Sequence, residues 1–250
     1  MKTLNHQVLG AGPAILLLHA GVADMRMWDA QMAELSRGRM VVRCDLRGFG
    51  GSTLTPGASY SDAEDVLALL EELGIEAFSV VAASYGAYVA LQIASAAPHR
   101  VERLVLLSPL AEVVDPDDSL RTFWAEEERL VDAGDLDSAT ELNVRTWLGP
   151  DADGSTRELV RRMQRDALVQ QVAAGEVENR ELEVALERLT MPIGIFAGGD
   201  DQTFFVETAR ELARQLPDAH LVELPWAGHL PSLERPAETT RLILDSLSGR

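Results

Sequence analysis

Short apolar runs recur along the chain, separated by stretches whose apolar residues fall three and four apart. Ala14–Leu18, Met40–Cys44, Phe78–Ala83, Leu104–Ser108, Ile193–Ala197 and Leu221–Leu224 are too short for buried helices and too apolar for strands with one wet face. They predict strands buried on both sides, the mark of a mostly parallel sheet flanked by helices. The helical spacing predicts helices over Trp28–Leu35, Ser61–Leu73, Tyr85–Ala97, Val206–Leu216 and Glu238–Leu247, with Gly74 and Pro98 as stops. From about Pro116 to Leu189 the alternation fails. That stretch is charged and helical throughout, divided by Gly134, Gly149-Pro150, Gly154 and Gly175 into roughly three or four helices. A helical insertion between two strands of such a sheet predicts a cap over its carboxyl edge, where open α/β sheets bind ligands. The expected organisation is therefore residues 1–114 and 191–250 as two parts of one α/β core, with residues 115–190 as the cap.

Composition narrows the partners. The formal charge of -18 disfavours nucleic acid, which is bound through cations, and anionic membrane surfaces. The longest apolar run, Ala14–Leu18, is far too short to cross a bilayer. The segment from Met1 to His6 lacks the apolar stretch of a signal peptide, so a cytoplasmic location is expected. The single cysteine, Cys44, ends an apolar run and reads as a small buried hydrophobe. The acidic runs Asp115–Asp118 and Glu126–Glu128 read as helix caps or solvated faces. No phosphate-binding loop, dinucleotide fingerprint or metal-ligand spacing is present in the sequence, so no cofactor and no metal are expected. The expected partner is a small-molecule substrate, with homodimerisation left open.

Ser84 carries the chemistry. It stands in Val80-Val81-Ala82-Ala83-Ser84-Tyr85-Gly86-Ala87, between an apolar strand and a small-residue helix. This is the setting of a nucleophile elbow, a sharp turn that lifts a hydroxyl clear of the sheet. The usual Gly-x-Ser-x-Gly is here Ala-x-Ser-x-Gly, with small residues where helix and strand approach closely. A serine hydroxyl needs a base within reach, and the base needs a group that fixes its tautomer. Of the five histidines, His6, His99 and His220 lie in polar surroundings that predict surface positions. His229 follows the last strand in a Gly-His loop that can hang over the elbow, and an aspartate pair, Asp200-Asp201, follows the strand Ile193–Ala197. The chain order serine, aspartate, histidine is the one that goes with such an elbow.

Four motifs together resemble the α/β-hydrolase family: Leu18-His19-Ala20-Gly21 after the first core strand; Asp45-Leu46-Arg47-Gly48-Phe49-Gly50-Gly51-Ser52; the Ser84 elbow; and Gly198-Gly199-Asp200-Asp201 followed by Gly228-His229-Leu230-Pro231-Ser232-Leu233-Glu234-Arg235-Pro236. The segment from His19 to Asp29 is most similar to small esterases and lactonases of the 3-oxoadipate enol-lactonase type. The resemblance implies an α/β-hydrolase fold with a small helical cap after the sixth strand. It implies Ser84, Asp201 and His229 as catalytic triad, because the family places its acid nine residues after the proline that opens the strand, here Pro192. Asp200 is then a capping or solvent-facing carboxylate. The backbone N–H groups of Tyr85 and Gly21 are the implied oxyanion donors, Val22 being one register away. His19 and the Asp45–Ser52 loop are implied to be structural. The implied reaction is hydrolysis of a small carboxylic ester or lactone through an acyl-serine. The same triad would serve a carbon–carbon bond hydrolase or a thioesterase, and a binding protein could keep the scaffold alone.

Overall fold

Seven strands form one sheet in the computed structural model, which describes residues 3–249. They are β1 (His6–Gly10), β2 (Ala14–Leu18), β3 (Met40–Cys44), β4 (Phe78–Ala83), β5 (Val101–Leu107), β6 (Ile193–Gly198) and β7 (Ala219–Leu224), in the spatial order β1-β3-β2-β4-β5-β6-β7. All neighbours pair in parallel except β1, which runs antiparallel to β3 with His6 opposite Cys44. The expected strands are all present, with β5 and β7 starting earlier than read. β1 was not foreseen. It is an edge strand with Val8 and Leu9 exposed, so burial imposes no apolar pattern on it. Residues 1, 2 and 250, at the outer ends of the expected core segments, lie outside the described residues.

The helices are α1 (Asp29–Leu35), α2 (Asp62–Glu72), α3 (Tyr85–Ala96), α4 (Asp118–Asp132), α5 (Leu136–Trp147), α6 (Gly154–Ala174), α7 (Thr203–Gln215), α8 (Pro231–Glu234) and α9 (Pro236–Leu247). Strands β2 to β6 are largely buried on both faces, as predicted, whereas β7, the other edge strand, has only Leu224 buried. Leu16 and Leu18 of β2 pack into one core with α2 and α3, while Ile15 and Leu17 point to a second core with α1 and α9. This strict alternation is the pleat, with both faces covered. No helix among the described residues is long and apolar enough to cross a membrane.

Between β5 and β6 the chain forms three helices, α4 to α6. Their acidic residues begin them: the Asp117, Asp135 and Asp153 side chains accept from the N–H groups of Leu120, Ser138 and Thr156. Gly134 and Gly175, at φ 73° and 68°, close α4 and α6. Gly154, expected as a divider, is instead the first residue of α6. The insertion follows the fifth strand and not the expected sixth, because only β1 forms ahead of Ala14–Leu18 among the described residues.

Candidate active site

Ser84 occupies the tight turn between β4 and α3 with φ 51° and ψ -118°. A non-glycine residue there stores strain of about 1–3 kcal/mol, sustained only if its surroundings fix it. Its N–H donates to the Leu107 carbonyl at 3.0 Å, and its own carbonyl accepts from Ala87 and Leu110. The close approach inferred from the small residues holds at Gly86. A Cβ there would run into the His19 carbonyl oxygen and lie 2.8 Å from the Leu18 carbonyl carbon. Ala82, two residues before the serine, pairs in register with Leu18 and is fully buried.

His229 lies in the loop between β7 and α8 and is 2% exposed. Its Nε2 is 2.7 Å from Ser84 Oγ and its Nδ1 is 2.8 Å from Asp201 Oδ2. An ionised carboxylate only accepts, so Nδ1 carries the proton and Nε2 is left to accept from the serine hydroxyl. The other Asp201 oxygen accepts from the Gln202 N–H at 2.7 Å. Asp200 is exposed, as expected of it. The His229 ring is walled by Phe205 and Trp147, with ring centres 4.2 and 4.7 Å away, and the backbone N–H of His229 donates to the Trp147 carbonyl.

Glycines bring the loops together. A Cβ on Gly198 would overlap the Gly228 carbonyl, and one on Gly149 would lie 2.9 Å from the Gly228 nitrogen. The loop bearing Asp201, the loop bearing His229 and the α5–α6 connection therefore touch backbone to backbone. Glu234 belongs to the motif that follows the Gly-His loop. Its carboxylate accepts from the N–H groups of Gly228 and Leu230, on either side of His229. Burial pushes this carboxyl above the usual carboxylate range. Its signal in the sequence is an acid on the turn that follows the Gly-His loop.

Gly21 and Val22 form the middle of a turn closed by Ala23 N–H donating to the Ala20 carbonyl at 3.0 Å. The turn lies against the elbow: a Cβ on Gly21 would meet Tyr85 Cβ at 3.4 Å. The N–H groups of Gly21, Val22 and Tyr85 donate to no protein group among the described residues. Gly21 and Val22 line a cavity of about 430 Å³ together with Ser84, His229, Phe123, Trp147 and Glu127. Met163, next to Gln164 in α6, is buried in the core. Glu127 departs from expectation. The Glu126–Glu128 run read as a solvated face, yet Phe123, Glu127 and Leu130 fall on one inward stripe of α4.

Supporting contacts follow the structural roles expected of the other motifs. His19 is fully buried, its Nδ1 donating to the Ala20 carbonyl and its Nε2 accepting from Leu46 N–H, and burial lowers its pKa. Asp45 accepts from the N–H groups of Met25 and Gly51. Arg47 pairs with Asp65 at 2.7 Å. Cys44 is buried, its thiol pKa raised by desolvation.

Behind the elbow, Tyr85 Oη donates to Asp62 Oδ2 at 2.7 Å and Arg47 N–H donates to Asp62 Oδ1 at 3.0 Å. Burial nonetheless pushes Asp62 up to about 6. A carboxyl whose pKa is raised by folding adds stability below its unfolded value and loses it as pH rises through the folded value. The window here runs from about pH 4 to pH 6. Between pH 4 and 7, Asp62→Asn is expected to gain stability relative to the native protein by up to about 3 kcal/mol. Urea titrations of both proteins across that range read the difference, and parallel curves would refute it.

The family model described as alpha/beta hydrolase fold matches residues 13–236. Over 257 residues the chain is 28% identical to a 2-hydroxymuconate semialdehyde hydrolase of Pseudomonas sp. strain CF600, covering 96% of this chain and 88% of that protein. It superposes on a thermophilic esterase from Thermogutta terrifontis with a TM-score of 0.84 and 28% identity, over 98% of this chain and 93% of the other. The fold is shared with the enol-lactonase from Burkholderia xenovorans LB400, at TM-score 0.82 and 23% identity, over 98% and 96% of the two chains. With the family model spanning nearly the whole chain, this protein belongs to the α/β hydrolase fold family.

Proposed function

We propose that this protein is a serine hydrolase that cleaves a small carboxylic ester or lactone through an acyl-serine intermediate. One observation carries the reading: the unbroken hydrogen-bond chain from Asp201 through His229 to Ser84, ending in a cavity of about 430 Å³. His229 Nε2 takes the Ser84 proton as Oγ attacks the carbonyl carbon. Asp201 steadies the imidazolium that forms. The oxyanion is held by the N–H groups of Tyr85 and Gly21, which have no partner among the described residues. The protonated imidazole then gives its proton to the leaving oxygen, and water repeats the sequence on the acyl-serine. The side chains supply each of these proton transfers, so the reading assigns no cofactor.

Residues 115–190 act in this reading as the cap on a core made of residues 1–114 and 191–250. Support comes from Phe123 and Glu127 of α4, Trp147 of α5 and Gln164 and Leu168 of α6, which line the same cavity as Ser84. The reading keeps the enzyme in the cytoplasm, consistent with a single buried, unbridged cysteine. A panel of 4-nitrophenyl esters, lactones, acyl thioesters and a 2-hydroxymuconate semialdehyde tests the function. Esters or lactones should be turned over, the 4-nitrophenyl esters with a burst of one 4-nitrophenolate per Ser84. Turnover of the semialdehyde alone, which has no ester bond, would move the reading to carbon–carbon hydrolysis.

A further inference from the structure

Oε1 of the inward-turned Glu127 receives two donors. Asn143 Nδ2 lies at 2.5 Å and Gln164 Nε2 at 3.5 Å. The orientation of the Asn143 amide is fixed independently. Trp147 Nε1, which can only donate, lies 2.8 Å from Asn143 Oδ1, and Asn143 Nδ2 also reaches the Ala139 carbonyl. Glu127 Oε2 accepts from no protein group among the described residues. Gln164 is 4% exposed, lines the same cavity, and its Oε1 is buried without a hydrogen-bond partner among the described residues. Two acceptors on residues lining the nucleophile's cavity thus take no donor from the described residues, and one of them belongs to a carboxylate.

The surroundings decide which ligand suits them. Among the described residues, no arginine or lysine lines the Ser84 cavity. A recess of about 590 Å³ shares Leu110 and Trp124 with it and adds Glu112, Asp115 and Glu181, again with no cation among the described residues. A carboxylate-bearing substrate would meet only like charge here. An ammonium group would satisfy both acceptors and offset the cost of burying Glu127, whose carboxyl burial pushes above its usual range. Phe123, Trp147 and Leu168 offer apolar surface for the carbon stem of such a substrate.

We infer that the Ser84 cavity takes esters whose acyl or alcohol part carries a protonated amine, held by the Glu127 carboxylate and the Gln164 side-chain oxygen. This substrate class rests on the serine-hydrolase reading. The test compares 4-nitrophenyl esters of 6-aminohexanoate, hexanoate and hydrogen adipate, and butyrate esters of 6-aminohexanol, hexanol and 6-hydroxyhexanoate. In one series or both, the ammonium ester should exceed the neutral one in kcat/KM by about tenfold or more, with the anionic ester lowest. Glu127→Gln should bring the ammonium-to-neutral ratio to within about twofold of unity, since it keeps an acceptor for Asn143 but removes the charge.

Calorimetry on the native protein reads the same site without turnover and without a variant, by titrating hexylammonium, hexanol and hexanoate. Hexylammonium should bind most tightly. Hydrolysis of the neutral esters with no ammonium preference in either series would overturn this inference and leave the serine-hydrolase reading standing. So would an unchanged ratio in a folded Glu127→Gln protein. If no ester is hydrolysed, the serine-hydrolase reading falls, and equal or stronger binding of hexanoate than of hexylammonium then overturns the cation site as well.

Discussion

Ser84→Ala is expected to leave a folded protein whose turnover falls by about 10⁴-fold or more. The substitution removes one oxygen, whose hydrogen bond runs to His229 Nε2. The strained backbone at φ 51° is held by a hydrogen bond to the Leu107 carbonyl and by those from the Ala87 and Leu110 N–H groups, and does not depend on the side chain. Stability should therefore move by less than about 1 kcal/mol, while covalent chemistry loses its nucleophile. His229→Ala should be as damaging, because without a base the hydroxyl is a poor nucleophile. The double variant should be scarcely slower than either single one, since the two act as a unit. Steady-state rates on one ester, with thermal melts as a control for folding, check all three proteins. A tenth of native activity in folded Ser84→Ala would exclude acyl-serine chemistry, and additive losses would separate His229 from Ser84.

The sheet was legible because each inner strand is buried on both faces, leaving an unbroken apolar run such as Ile15 to Leu18. β1 was not legible. His6, Gln7 and Gly10 interrupt it, and its exposed edge position asks for no apolar residues. The reading of Ser84, Asp201 and His229 rested on motifs at the ends of strands, where backbone geometry forces glycine and small residues. Their mutual distances are set by loops packed at Gly198, Gly228 and Gly149, which neither periodicity nor spacing discloses. The Glu127 site was hidden differently. Three adjacent glutamates look alike on paper, and only the helical stripe through Phe123 and Leu130 picks out the middle one. The orphaned Gln164 oxygen requires coordinates, because no sequence pattern reports which buried polar atoms lack a partner.

Asp201→Asn is expected to cut turnover by about 10³- to 10⁴-fold, while Asp200→Asn costs less than about tenfold. The two residues are neighbours in the sequence with opposite environments. The Asp201 side chain is 1% exposed, and one oxygen faces His229 Nδ1 while the other accepts from Gln202 N–H. Asparagine can keep the Gln202 bond through its oxygen. Its amide nitrogen then points at His229 Nδ1 as a donor, so Nδ1 must accept and the ring proton moves to Nε2. That tautomer presents a donor to Ser84 Oγ and cannot take its proton. The fold has little reason to change, because shape and volume are nearly conserved, so the loss should fall on kcat with the melting temperature almost unmoved. Asp200 faces solvent, and neutralising it removes only a solvent-screened charge. Rates of both variants on one ester, each normalised to the native protein, give the ranking directly. If Asp200→Asn proves the more damaging, the role of orienting acid passes to Asp200, and the 2.8 Å contact between Asp201 and His229 is a structural pairing without catalytic weight.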